Sequence, residues 1–241
     1  MTRLDFIKTN LMAGLYFTFF PLFQTQNSSI NYLTGHKNPY RDLPNSMHPE
    51  AYNSFLQMKK CALENGVDIS IVSGYRSFDR QLLIWNNKYK RFKKQFNSDI
   101  KALENVTSYS AIPGTSRHHW GTEIDIIDAN AKQPRKGLLN TINFGKDGNY
   151  NKLNLWMKAN AHQFGFHLVY TDDKCRTGFK FEPWHYSYSP ISNNLLKDYS
   201  KLNLVESVKN DKIRGISHFD KESLLTYYKT HLCGINPALL S

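Results

Sequence analysis

Cysteine is scarce and unpaired along the chain: Cys61, Cys175 and Cys233 lie far apart, and none has a second cysteine at Cys-x-x-Cys spacing. That excludes a thiolate zinc cage and a disulfide-dense scaffold, leaving room for at most one disulfide and a free thiol. A run of about 20 apolar residues, the length a spanning helix needs, is also missing. Internal repeats and low-complexity tracts are absent, so solenoids and disordered linkers are excluded. Acidic residues are in deficit, with Asp+Glu 20 against Lys+Arg 31 and a formal net charge of +11. Such an excess favours anionic partners, for instance an acidic envelope polymer, and speaks to encounter rather than to fold. No nucleic-acid partner is expected, because the basic residues accompany no aromatic platform and no reading motif.

What is present suits a folded domain. The 241 residues are 40% hydrophobic and 14% aromatic, enough for a well-filled core in one main domain that is expected to be monomeric. Near the N-terminus, Arg3 and Lys8 precede a mostly apolar run from Leu11 to Phe23. Its length of about a dozen residues fits a signal-peptide core better than a membrane span. Residues 1–28 are therefore expected to be a signal peptide or an uncleaved signal anchor that exports the chain to the cell envelope, either the periplasm or the outer face of the cytoplasmic membrane. Residues 29–190 would form the main domain and 191–241 a C-terminal helical extension of it.

From Asn31 to Pro49 the chain reads as an extended lead-in, followed by a helix over Glu50–Glu64 that stops at Asn65-Gly66. Val67–Val72 alternates branched and polar residues as a strand does, and Ser77 can cap a helix over Phe78–Phe96 whose lysine-rich end forms a solvated face. Asn97–Ile112 reads as irregular, Thr122–Ile127 as a strand and Ala129–Asn151 as a long loop. Leu153–Phe164 should be helical, Phe166–Tyr170 and Phe179–Tyr188 strand-rich, and Asn193–Lys209 and His218–His231 helical. Helices followed by strands grouped around loops predict an α+β domain with helices packed on a mostly antiparallel sheet.

Two clusters carry the chemistry. Ser116 to Asp125 reads Ser-Arg-His-His-Trp-Gly-Thr-Glu-Ile-Asp, and Glu182 to His185 reads Glu-Pro-Trp-His. A zinc hydrolase needs three nitrogen or oxygen ligands and one open position. His118, Asp125 and His185 supply such a set, with His119 as the nearest rival to His118. Glu182 stands three residues ahead of His185 across a stiffening proline, a suitable place for a general base beside a metal.

Together with Ser73-Gly74-Tyr75-Arg76-Ser77, these clusters make up three motifs in order, Ser-Gly-Tyr-Arg-Ser, Ser-x-His-x-x-Gly-x-x-x-Asp and Glu-Pro-Trp-His. The set resembles the zinc D-alanyl-D-alanine carboxypeptidases of the VanY type, in the lysostaphin, D-Ala-D-Ala peptidase and hedgehog fold group, over roughly residues 68–188. The resemblance implies a fold with a zinc cleft that holds one Zn2+ on His118, Asp125 and His185. It also implies Glu182 as catalytic base, Arg76 as the oxyanion's partner, and Ser116, Gln81 and Trp184 at the substrate. The implied activity is removal of the C-terminal D-alanine from peptidoglycan stem peptides. The alternatives are an L,D-carboxypeptidase or endopeptidase on such peptides and, from another class, a non-catalytic zinc-binding envelope module. Several positions depart from the family pattern: Arg117, His119 and Trp120 stand where many relatives have Glu, Gln and Thr, Glu123 where a small residue is common, and Ser187 where Arg is frequent. These departures bear on substrate preference.

Overall fold

A computed structural model describes residues 26–135 and 137–240. Nearly all of the expected signal segment lies outside the described residues. Its last residues belong to α1 (Gln26–Leu33), which runs on into the first residues of the lead-in expected to be extended. α2 (Pro49–Glu64) follows with proline in its first turn and ends at Asn65, as the stop signal predicts. Its buried face of Ala51, Phe55, Met58 and Ala62 recurs at helical spacing.

The sheet has four strands in the order β1-β2-β4-β3, every neighbouring pair antiparallel. They are β1 (Ile69–Ser73), β2 (Glu123–Asp128), β3 (Phe166–Leu168) and β4 (His185–Tyr188). The expectation of helices on an antiparallel sheet is borne out. Strand alternation gives the two central strands opposite characters on their two faces. Ile124, Ile126, Tyr186 and Tyr188 enter an apolar core with α2 residues and with Leu153, Trp156 and Met157 of α5 (Asn151–Asn160). Glu123, Asp125, His185 and Ser187 occupy the other face and are also buried. A register shift between Ile71 and Ser73 leaves Val72 exposed and brings Ser73 opposite Asp125.

The polar face is enclosed by a second core. α3 (Phe78–Phe96) has the predicted limits, and Ser77 Oγ accepts from Arg80 N at 3.2 Å as its cap. α4 (Asp99–Thr107) lies in the segment expected to be irregular. Ser98 caps it, and Ala102, Leu103 and Val106 supply a short buried stripe against α3 that outweighs its weak local signal. The C-terminal helices are also more broken than expected: α6 (Ser189–Ser200), α7 (Leu204–Val208) and α8 (Lys221–Tyr227) replace two longer ones. Trp85, Trp120, Tyr199, Leu224 and Tyr227 share this second core. Residues 191–240 thus pack behind the polar cluster.

Candidate active site

The loop before β2 is fastened from several sides. Arg117–Trp120 forms a single 3-10 turn that ends at Gly121 with φ 70, a left-handed conformation that glycine adopts without strain. Tyr32 donates to the Trp120 carbonyl at 2.7 Å, and the Trp120 indole donates to the Leu33 carbonyl at 3.2 Å. Tyr199 Oη donates to the Gly114 carbonyl at 2.9 Å, and the Ile112 amide donates to Tyr227 Oη at 3.1 Å. These bonds tie the loop to α1 and to the C-terminal part of the chain and set the directions of its side chains.

His118 and His119 are both buried, and their partners separate their roles. His118 Nδ1 lies 2.7 Å from the Gly74 carbonyl, which can only accept, so this nitrogen carries the proton and leaves Nε2 as a lone-pair donor. That Nε2 lies 3.4 Å from Asp125 Oδ2. His119 has no spare nitrogen: Nδ1 donates to the Arg76 carbonyl at 2.6 Å and Nε2 accepts from the Gly114 amide at 3.2 Å. Burial lowers its pKa to about 3, which keeps the ring neutral. His119 therefore ties the Arg76 backbone to the loop and leaves the ligand role to His118.

Sheet register supplies the other half. Asp125 is the direct antiparallel partner of His185, and Glu123 that of Ser187. Ligand atoms of His118, Asp125 and His185 all lie within 4.8 Å of one another, and all three residues are buried. Asp125 Oδ1 is buried without a hydrogen-bond partner, an unusual state for a carboxylate oxygen, and it lies 3.8 Å from His185 Nδ1. Two imidazole nitrogens and a carboxylate around an unsatisfied oxygen fit a zinc-type ion. Burial would raise the Asp125 carboxyl, but the His118 and His185 rings and the Arg76 charge outweigh it and hold the group ionised.

The remaining predicted residues surround this trio. Glu182 and His185 are joined through the Glu182 carbonyl, which accepts from the His185 amide at 3.1 Å, and Glu182 Oε2 lies 3.2 Å from His185 Nδ1. Arg76 Nη2 lies 3.5 Å from Asp125 Oδ2 and donates to Ser73 Oγ at 3.0 Å. Arg76 Nη1 donates to Gln81 Oε1 at 3.0 Å, while Gln81 Nε2 donates to the Ala111 carbonyl at 2.7 Å. Gln81 is fully buried, so the structure shows it aiming Arg76 from within α3. Arg76, Ser116, His118, Asp125, Glu182, Trp184 and His185 all line one cleft of about 990 Å³. Trp184 is half-buried against Phe144, with ring centroids 5.8 Å apart.

Other residues of the cleft wall were not singled out by sequence reasoning. Lys88 and Arg91 leave the otherwise solvated basic end of α3 and line the cleft, as do Arg176 and Lys180. Lys88 Nζ donates to Ser110 Oγ at 2.9 Å and to the Tyr109 carbonyl at 3.0 Å, and burial lowers its pKa. For Lys88 the helical phase carries the signal: it follows Gln81 by seven residues, two turns along the same side.

Comparison with known proteins identifies relatives of the chain. Residues 44–191 match the family model for VanY, D-alanyl-D-alanine carboxypeptidase. A D-alanyl-D-alanine carboxypeptidase from Enterococcus faecalis is 32% identical over 131 residues, which cover 54% of this chain and 43% of that protein. One from Enterococcus faecium is 25% identical over 187 residues, 76% of this chain and 51% of its own length. The chain thus spans about half or less of either relative. Among solved structures, VanYB in complex with D-alanine-D-alanine is similar at 26% identity and TM-score 0.49, over 68% of this chain and 83% of that one. With the family match covering more than half of its residues and both halves of the polar cluster, this chain belongs to the VanY D-alanyl-D-alanine carboxypeptidase family.

Proposed function

We propose that the protein is a zinc-dependent carboxypeptidase that removes the C-terminal D-alanine from peptidoglycan stem peptides. The observation that carries this reading is the convergence of His118, Asp125 and His185 at one cleft, with Glu182 and Arg76 against the same trio. His118 through Nε2, Asp125 through its carboxylate and His185 through Nδ1 would hold the ion. When bound, zinc supplies Lewis-acid polarisation and makes water acidic enough to lose a proton near neutral pH.

The chain's own groups supply the rest. Glu182, half-buried and facing the cleft, takes the proton from the attacking water and passes it to the departing amine as the scissile C–N bond breaks. The Arg76 guanidinium, held by Ser73 and Gln81, meets negative charge developing on the carbonyl oxygen; its two anchors mean that little reorganisation is needed. Lys88, Arg91, Arg176 and Lys180 make the cleft wall attractive to a substrate that ends in a free carboxylate. Hydrolysis of stem peptides requires the enzyme to reach the envelope, so the basic and apolar N-terminal segment serves export in this reading.

The test is incubation of a pentapeptide stem with purified protein. Release of free D-alanine, abolished by a chelator and restored by zinc, is expected. Chelator-sensitive cleavage of tetrapeptide stems alone would reassign the protein to L,D-carboxypeptidases. Release of internal fragments would reassign it to endopeptidases. Stoichiometric zinc binding without turnover on any stem would leave a metal-binding module and overturn the reading.

A further inference from the structure

Behind His185 lies a buried charge cluster that the reaction itself does not use. His185 Nε2 is 3.0 Å from Glu123 Oε2, and Glu123 is fully buried. A carboxylate at that distance accepts the Nε2 proton and occupies that nitrogen. The other nitrogen, Nδ1, is then the one that faces Asp125 and Glu182.

Glu123 is itself closely held. Its Oε1 accepts from Ser187 Oγ at 2.6 Å and from Thr122 Oγ1 at 3.2 Å, and Arg117 Nη2 pairs with it at 3.2 Å. Arg117 Nη2 also donates to Ser187 Oγ at 2.8 Å, which in turn lies 2.8 Å from Ser192 Oγ. The guanidinium is buried and stacks over the Trp120 ring, 4.7 Å from its centroid. Burying a carboxylate without a partner is costly, and Arg117 is the cation paired with it. The arrangement follows from strand geometry: Glu123 and Asp125 share one face of β2, His185 and Ser187 share the facing side of β4, and Glu123 reaches diagonally from its partner Ser187 to His185.

We propose that Glu123, paired with Arg117, is a positioning residue that selects Nδ1 of His185 as the metal-donor atom and strengthens metal binding. This inference rests on the reading of His118, Asp125 and His185 as the zinc site. An imidazole that donates one N–H to a carboxylate is oriented by it and binds metal more strongly through its other nitrogen. Glu123 does not line the cleft, and Arg117, although part of the cleft lining, is buried against Glu123 and Trp120. They act through His185.

The test pairs two variants with a measurement on the parent. Glu123→Gln keeps the shape and removes the charge, and Arg117→Met with Glu123→Gln removes both buried charges together. Zinc affinity is read by competition with a chromophoric chelator, and the fold of the metal-free proteins by thermal melting. Both variants should bind zinc about 10–100-fold more weakly than the parent. The double variant should melt closer to the parent than the single one, because no unpaired guanidinium is left. Zinc binding by a folded variant within about threefold of the parent would overturn the inference. If neither variant folds, long-range proton–nitrogen spectra of the zinc-loaded parent decide. A proton on His185 Nε2 and the metal on Nδ1 supports the inference, and the reverse overturns it. A parent that binds no divalent ion would instead overturn the site assignment and this inference with it.

Discussion

Asp125 and His185 are direct register partners on adjacent antiparallel strands, although sixty residues of chain separate them. Between two antiparallel strands, side chains of directly opposed residues point to the same face only a few ångströms apart. The pairing of β2 with β4 therefore assembles two of the three candidate ligand positions, and the Gly74 carbonyl orients the third, His118. One consequence is that the chemistry and the metal site can be separated by mutation. Glu182→Gln keeps the backbone turn into His185 and all three ligand residues. It is expected to lower kcat for D-alanine release by about 10²–10⁴. Metal analysis of the purified variant should still give one ion per chain.

The two adjacent histidines should respond differently. His118→Ala removes a ligand and is expected to abolish stoichiometric zinc binding. His119→Ala leaves the ligands but orphans the buried Gly114 amide and Arg76 carbonyl, each costing about 1–3 kcal/mol. A glutamine can donate to one and accept from the other, so His119→Gln should recover most of that loss. Urea unfolding of the metal-free proteins, set beside their zinc stoichiometry, checks both expectations.

Much of the site was readable because its chemistry is local in sequence. Ser116–Asp125 and Glu182–His185 each announce themselves by residue type, and the helix over Phe78–Phe96 carries both its cap and its stripe. Roles that depend on long-range register were not legible. Nothing in the order of residues shows that Glu123 meets His185 rather than the metal, or that Arg117, Glu123 and Ser187 touch one another. The same holds for α4, whose short stripe gains its meaning only from α3. Gln81 belongs with them, since burial beneath Arg76 makes it a support for the guanidinium.

Acid sensitivity follows from His231, which does not itself line the cleft. His231 stacks on Tyr227 with ring centroids 4.5 Å apart, meets the edge of Phe179, and bonds Thr230 Oγ1 through Nδ1 at 2.8 Å. Burial lowers its pKa to about 4 from an ordinary 6.5, with Arg176 adding to the shift and backbone contacts opposing it. Between these values the unfolded chain binds the proton that the folded one refuses, so stability rises with pH across that window. The contribution is intact above pH 6.5 and is lost as pH falls toward 4. Comparing metal-free His231→Gln with the parent at pH 7.5 and pH 5.0 by urea unfolding should show a smaller acid loss in the variant, by about 1–2 kcal/mol.

The departures at Arg117, Glu123 and Ser187 form one connected group, which makes them interdependent. Changing Arg117 alone to the Glu common among relatives would set two carboxylates against each other in a buried site and remove the only guanidinium paired with Glu123 among the described residues. Arg117→Glu is therefore expected to lose several kcal/mol of stability, the scale of a broken buried pair. Adding Glu123→Ala removes one carboxylate, and adding Ser187→Arg restores a cation where the relatives carry it. The triple variant has one carboxylate and one guanidinium again, as the parent does, so it should melt well above Arg117→Glu, while zinc binding stays weak because no carboxylate at position 123 meets His185 Nε2. Thermal melting and chelator competition on the single, double and triple variants would show it. A triple variant no better than Arg117→Glu would mean that the three positions are not exchangeable as a set, and that the surrounding packing on Trp120 and Ser192 commits this chain to its own arrangement of charges.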